Sequence, residues 1–347
     1  MNVLLIGALP PPVGGTTVLF KQLVDDLRTS DDICIRVIDV SRPTVAGLHN
    51  ALHALRCLAL LCWHLPWASV LTFHTSLNGA ITFGPLVHIA SRLFRCKWIF
   101  RGFGGDIDTW HRNSVGLRKR LFDLTVLRAD VLLLERKASV EYFQTQSATS
   151  VQWYPNSRRC HLGATSTAAH RNTGRRFVFV GHVKPAKGIG EIIAATRMLS
   201  ATGLTVDVYG PLQEGVSDAW FAESPVRYCG LLVKEEAIKT MANYAALVLP
   251  TYWEGEGHPG VILEAYCAGI PVIATRWGGI PEIVDSESGI LVEPHDVTGL
   301  ADAMRNLIES DQLLAKLSSG ARSKAAEFDA DRWTQYFVNL CHQLATT

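Results

Sequence analysis

Apolar residues recur along the chain in two patterns. Short unbroken runs such as VLLIGA (3–8) alternate with longer stretches such as TTVLFKQLVDDLR (16–28), in which apolar positions return every three or four residues. The first pattern predicts strands buried on both faces, and the second predicts amphipathic helices. Further strand runs are ICIRVIDV (33–40), SVLTFH (69–74), KWIFRG (97–102), VLLLE (131–135) and VQWYPN (151–156). A second series comprises RFVFVG (176–181), LTVDVYG (204–210), VRYCG (226–230), ALVLPT (246–251), PVIAT (271–275) and GILVE (289–293). Helical spacing marks IGEIIAATRML (189–199), GLADAMRNLIE (299–309) and a closing ADRWTQYFVNLCHQLA (330–345). Between the two series, SRRCHLGATSTAAHRNTGRR (157–176) has no periodicity and reads as a linker.

This alternation predicts the α/β class: two Rossmann-like, doubly wound parallel-sheet domains facing a cleft at the C-terminal ends of their strands. The expected boundaries are 1–165 and 172–327, with 328–347 forming a helix that crosses back to the first domain. One stretch, ALHALRCLALLCWHLPWASVLTF (51–73), is apolar enough to suggest a membrane. His53, Arg56, His64 and Pro66 interrupt it, so it falls short of the roughly 20 uninterrupted residues of a span. It reads as a helix to about Trp63 followed by a buried strand, with an interfacial helix as the alternative.

Composition fits a globular protein with a large core: 48% hydrophobic and 19% charged residues. The net charge of +1 conceals an asymmetry. Residues 1–170 hold 18 Lys+Arg against 11 Asp+Glu, and residues 171–347 hold 15 against 21, giving +7 and −6. The positive half suits anionic surfaces or substrates. Two basic runs in it, RLFRCKWIFR (92–101) and HRNSVGLRKR (111–120), contain no acid; they suit phospholipid headgroups or a lipid diphosphate, or are solvated helix faces. Eight scattered cysteines form no CxxC pair and no zinc spacing, which argues for a reducing compartment and against a structural metal. MNVLLIGALPPP reads as a strand entering a loop rather than as a basic secretory leader.

The densest chemistry lies in EGEGHPGVILEAYCAGIPVIAT (254–275). Pro259 suits the first turn of a helix that ends near Gly269. Glu264 then sits in that helix's first two turns and Glu256 in the loop before it. The unpaired N–H groups of the helix start favour an anion, and Gly257 and Gly260 allow close backbone approach. Two carboxylates beside an anion site suit a ligand that is part phosphate and part polyhydroxyl; an ordinary capped helix is the alternative. In VGHVKPAKGIGE (180–191) a strand ends at Gly181 and Lys187 introduces a helix, where it would place a point charge on a diphosphate, assisted by His182 and Lys184. GALPPPVGGTT (7–17) sets Gly14 and Gly15 before the first helix, but it is not a GxGxxG dinucleotide fingerprint.

Taken together, PPPVGG, YPN (154–156), VGHVKPAKG, EGHPGVILEA, WGGIPEIV (277–284) and GILVEPHD (289–296) resemble the family-4 retaining glycosyltransferases of the two-Rossmann GT-B type, in order and spacing over nearly the whole chain. The resemblance implies transfer of a sugar, with retained anomeric configuration, from a nucleotide sugar (UDP- or GDP-linked) to a glycan or lipid-linked acceptor in surface polysaccharide or glycolipid synthesis. It implies that Glu256 lies at the donor sugar and Glu264 at the ribose. Backbone at Gly260 and Val261 holds sugar and phosphate, Lys187 neutralises the leaving diphosphate, and Gly14 and Gly15 close over the donor. It further implies no metal, no other cofactor and no nucleic acid. The expected location is cytoplasmic, with peripheral contact at the inner face of an anionic membrane.

The chain departs from the family in places. His182 stands where an arginine is usual, with Lys184 or Arg101 as compensating cations. The loop after the fourth strand reads FRGFGGDID (100–108), where the family often has a histidine; Arg101 and Asp106 are the candidates there, Asp106 either touching sugar or acceptor or capping a turn. His74 is either an acceptor-side group or a core histidine. Asp106-Ile107-Asp108 imitates a metal-binding DxD outside its usual fold. Rival readings are a sugar-nucleotide epimerase on the same fold, a non-catalytic nucleotide-sugar-binding protein, and a glycosidase, whose carboxylates must stand about 5–9.5 Å apart. A nicotinamide dehydrogenase lacks its fingerprint.

Overall fold

The computed structural model describes residues 1–12, 14–41, 48–147, 149–160, 175–222 and 224–346. The central part of the expected linker, 161–174, lies outside the described residues. The chain divides into two units: Met1–Asn156 with Ala330–Thr347, and Ser157–Asp329.

In the first unit the strands are β1 (Asn2–Gly7), β2 (Cys34–Asp39), β3 (Val70–Ser76), β4 (Lys97–Phe103), β5 (Val131–Leu134) and β6 (Ser150–Trp153). All pair in parallel, in the order β2-β1-β3-β4-β5-β6. The helices between them are α1 (Gly15–Arg28), α2 (Leu48–His64), α3 (Leu77–Leu93), α4 (Ile107–Asn113), α5 (Leu117–Leu124) and α6 (Lys137–Gln146). Leu4, Leu71, Phe73, Trp98, Phe100 and Leu132 face one apolar layer, while Val3, Leu5, Val70, Ile99 and Leu133 face another. Burial on both faces is what the unbroken apolar runs require.

In the second unit the strands are β7 (Arg176–Val180), β8 (Thr205–Tyr209), β9 (Val226–Tyr228), β10 (Ala246–Leu249), β11 (Val272–Thr275) and β12 (Gly289–Val292), with helices α7 (Ile189–Met198), α8 (Ala237–Met241), α9 (Gly260–Cys267), α10 (Val297–Glu309) and α11 (Asp311–Glu327). The order is β12-β11-β10-β7-β8-β9, again parallel. The last helix, α12 (Ala330–Thr346), belongs to the first unit. Its Trp333 stacks edge-on against Trp153 and Tyr154, and Phe337 and Cys341 are fully buried in the same layer.

The strand orders locate the switch points. In the first unit the chain leaves β1 for β2 on one side and β3 on the other; in the second it leaves β7 for β8 and crosses to β10. Loops that diverge there open a crevice at the strands' C-terminal ends, where open α/β sheets take ligands.

Two differences from the sequence reading are physical. Pro259 is the residue before the helix rather than its first, since α9 begins at Gly260. Cys160 and Cys267 form a disulfide across 107 residues, with Cα atoms 5.0 Å apart, where sequence spacing suggested only thiols. The other six cysteines are free. Among the described residues, no helix is long and apolar enough to cross a membrane.

Candidate functional site

The second unit's switch point gathers the residues singled out in its two motifs. After β7, the loop Gly181–Lys184 leads into a single helical turn, Pro185–Lys187. Gly188 then takes a left-handed conformation, φ 79°, and α7 starts. A Cβ on Gly188 would stand 2.3 Å from the Pro250 carbonyl oxygen, so the two diverging loops touch there backbone to backbone. After β10, Thr251 to Pro259 lead into α9.

The Lys187 ammonium forms an ion pair with the Glu256 carboxylate, and the Thr251 hydroxyl donates to the same oxygen at 2.8 Å. Glu256 is 8% exposed, so the lysine and the hydroxyl supply the compensation that a buried carboxylate needs. The turn Trp277-Gly278-Gly279 lies against the same loop. The Gly279 N–H donates to the Glu256 carbonyl at 3.2 Å, and the Trp277 indole donates to the Trp253 carbonyl at 2.8 Å. Side chains at positions 278 and 279 would strike the backbone oxygens of Glu256 and Gly257, at 2.2 and 2.6 Å. The WGG turn is therefore a brace for the Glu256 loop. His258, fully buried, adds a contact to Glu282 at 3.3 Å.

Eight residues on, Glu264 meets a group that sequence reading did not single out. Arg158 Nε donates to Glu264 Oε1 at 2.8 Å. Its guanidinium lies against the first residue of α9: a Cβ on Gly260 would sit 1.9 Å from Arg158 Nη2. Arg158 is itself held, its N–H donating to the Phe328 carbonyl at 3.0 Å and its residue bridging to Asp329. The disulfide from Cys160 to Cys267 ties this segment to the other end of α9. A helix start with orphan N–H groups, a lysine and an arginine meet at this corner, each cation paired with one of the two carboxylates. Val261 lies in the first turn of this helix.

The remaining candidates of this unit stand apart in their contacts. Lys184 is buried, its ammonium paired with Glu214 at 3.0 Å and 3.1 Å from the Trp253 ring centroid. His182 is exposed at the rim; desolvation first, then the charges of Lys187 and Lys184, holds its imidazole below the ordinary histidine range, so it is neutral at pH 7. Glu254 is exposed.

In the first unit, a cavity of about 830 Å³ opens at the C-terminal ends of β1 and β3. His74, Thr75, Ser76, Asn78, Thr16 and Thr17 give it a polar side. Gly14 caps α1 by donating its N–H to the Thr17 hydroxyl at 3.0 Å, and Gly15 opens the helix with no atom near its missing Cβ. His74 is buried among the rings of Phe20, Phe103 and Phe337, and accepts from or donates to the Thr72 hydroxyl at 3.0 Å. Burial first, then the Arg101 charge, lowers its pKa to about 3, so it is neutral across the physiological range. Arg101 is 1% exposed, donates to the Gly102 carbonyl and the Asn156 side chain, and stacks on Phe103 and Tyr154 at 4.8 Å each. Burial lowers its pKa to about 10, and it stays charged at pH 7. Asp106 precedes α4 without a side-chain cap bond, and burial raises its pKa. Asp108 is turned inward to Ser139 at 2.7 Å. Among the described residues, no group of three His, Cys, Asp or Glu could hold a metal.

The profile of the family described as Glycosyl transferases group 1 matches residues 174–310, most of the second unit. The glycogen synthase of Mycobacterium tuberculosis is 29% identical over 164 residues, 44% of this chain and 38% of that protein. The D-inositol 3-phosphate glycosyltransferase of Saccharomonospora viridis is 42% identical over 281 residues, 74% of this chain and 64% of that protein. The chain thus spans less than two thirds of these curated relatives. Among solved structures, Anabaena HepE in complex with UDP superposes with a TM-score of 0.75 at 19% identity, covering 99% of this chain and all of that one. The lipopolysaccharide outer core galactosyltransferase WaaB gives 0.70 at 13% identity, with 98% of each chain covered. These structures share the fold.

Proposed function

The chain belongs to the Glycosyl transferases group 1 family with the GT-B fold, and from that premise we propose that it is a retaining, metal-independent glycosyltransferase whose second unit binds the nucleotide sugar and whose first unit takes the acceptor. The observation that carries this reading is the Lys187–Glu256 pair beside the start of α9, at the switch point of the sheet. Glu264 holds the ribose, and Glu256 meets the donor sugar. Orphan N–H groups at Gly260 and Val261 receive the diphosphate. Lys187 exchanges its contact with Glu256 for the leaving phosphate as negative charge grows there, the kind of fixed electrostatic stabilisation worth about 10²–10³ in turnover.

Arg158 answers the departure at His182. A neutral imidazole offers the diphosphate no charge, whereas the Arg158 guanidinium already lies on the helix start. UDP- and GDP-sugars are the donors to try first, with a glycan or lipid-linked acceptor of surface polysaccharide or glycolipid synthesis. The HepE complexes with UDP and UDP-glucose favour a uridine donor. The base would meet backbone between Tyr228 and Leu232, where Gly230 takes φ 78° and bonds back to Gly210.

Release of nucleoside diphosphate from UDP-glucose or GDP-mannose, with and without EDTA, tests the assignment. Lys187→Ala should lower turnover about a hundredfold while donor affinity changes much less. Unchanged turnover in both Lys187→Ala and Glu256→Gln would remove the transferase chemistry from this site.

A further inference from the structure

The cavity of the first unit at β1 and β3 continues beyond its polar side. It shares Val40, Phe73 and Phe83 with a second hollow of about 440 Å³ that lies between α2 and α3. Every residue lining this second hollow is apolar, from Ile6 and Ile38 on the strands to Ala54, Leu58 and Leu61 on α2 and Leu86 on α3. One end of the combined space carries hydroxyls and the His74 region; the other carries only hydrocarbon.

The helices that form the apolar end are built against the usual pattern. A surface helix turns its polar residues outward. Here Leu52, Leu55 and Leu58 of α2 are 56%, 62% and 37% exposed, and Leu86, Ile89 and Leu93 of α3 are 43%, 60% and 76% exposed. Six such side chains on the two helices flanking one apolar hollow exceed the scattered exposure of an ordinary surface. The two helices themselves carry basic residues and no acidic one. Between Asp39 and Asp106 the sequence has no acidic residue and six basic ones. Of these, Arg56, Arg92 and Arg95 stand exposed on or just after the same two helices. An apolar slot flanked by exposed arginines and opening toward hydroxyls suits an amphiphile with a hydrocarbon tail and an anionic linkage.

We propose that the groove between α2 and α3 seats the hydrocarbon tail of the acceptor, so that the acceptor is a lipid-linked phosphate or diphosphate whose polar end reaches the cavity at β1 and β3. This rests on the first unit being the acceptor side of the transferase. The occupant is the acceptor's own tail, entering as a single molecule, rather than a lipid of the surrounding bilayer.

Butyl, octyl and dodecyl phosphate, each kept below its micelle concentration, are titrated against the full chain. Moving one methylene from water into an apolar site strengthens binding about fourfold. The expected result is a steep rise in affinity from butyl to octyl phosphate. Ala54→Trp, which fills the groove from α2, should flatten that rise at least tenfold, as should Leu58→Glu, at a position 37% exposed. UDP or GDP binding is measured in the same samples; its persistence shows the second unit intact. Loss of nucleotide binding in the wild type would remove the transferase reading whether or not the groove binds alkyl chains. A chain-length series that is flat in the wild type, or unchanged in both variants, overturns the groove. Binding that appears only on phosphatidylglycerol vesicles and is abolished by Leu93→Glu also overturns it, because the face would then meet bulk bilayer.

Discussion

Arg158 shows how one side chain can serve two parts of a candidate site. It fixes the Glu264 carboxylate at 2.8 Å and lays a cation over Gly260, where only a glycine leaves room. Hydrogen bonds between charged groups contribute about 1.5–3 kcal/mol when retained in a partly buried setting. Arg158→Ala should therefore weaken nucleoside diphosphate binding about tenfold or more, with Arg158→Lys recovering part of the charge but not the forked geometry. Calorimetric affinities of the two variants check this; equal affinity in Arg158→Ala would leave the arginine a structural tie only. Glu256, Glu264 and Lys187 were legible because their chemistry sits in short local patterns, at a helix start or a strand end. Arg158 was not, because its partner lies 106 residues away and its own segment, SRRC, reads as part of a linker. The Cys160–Cys267 bond was hidden for the same reason. Arg101 illustrates the opposite limit: its place at a strand end was legible, but its near-complete burial between Phe103 and Tyr154 depends on packing that sequence does not print.

Among the elements, the loop-to-helix joints after β7 and β10 position the site, and Gly188 is where they meet. Its φ of 79° and its contact with the Pro250 carbonyl leave no place for a side chain. The left-handed conformation alone costs an L-residue about 1–2 kcal/mol, and the clash is with backbone, which yields little. Gly188→Ala should lower the thermal midpoint of the second unit and weaken nucleotide binding together, since Lys187 is its neighbour. Circular dichroism melts with and without UDP or GDP check it; a midpoint within error of the wild type would show that the joint is looser than the structure has it. The strands themselves were readable because parallel strands buried on both faces leave unbroken apolar runs. The start of α9 was misplaced by one residue because proline suits both the residue before a helix and its first position. Helix α2 was readable as a helix, but the hollow beside it was not: Leu55 and Leu58 look like core residues until the opposing face of α3 is known to stand away from them.

At the scale of the molecule, charge and topology divide the labour. The first 170 residues carry +7 and the rest −6, and the second unit draws one cation from each, Arg158 and Lys187, to its switch point. Field from a few fixed cations beside a helix start attracts a nucleoside diphosphate even in an acidic unit. On the proposed reading, the positive unit takes an anionic acceptor. The most direct test is a calorimetric titration of the purified protein with UDP, GDP, ADP and NAD in the presence of EDTA, repeated for Glu264→Ala. The account predicts that a single nucleoside diphosphate binds without metal, that NAD does not, and that Glu264→Ala loses about tenfold or more of the affinity through its missing ribose contact. Binding of NAD alone, or nucleoside diphosphate binding untouched by Glu264→Ala, would contradict it.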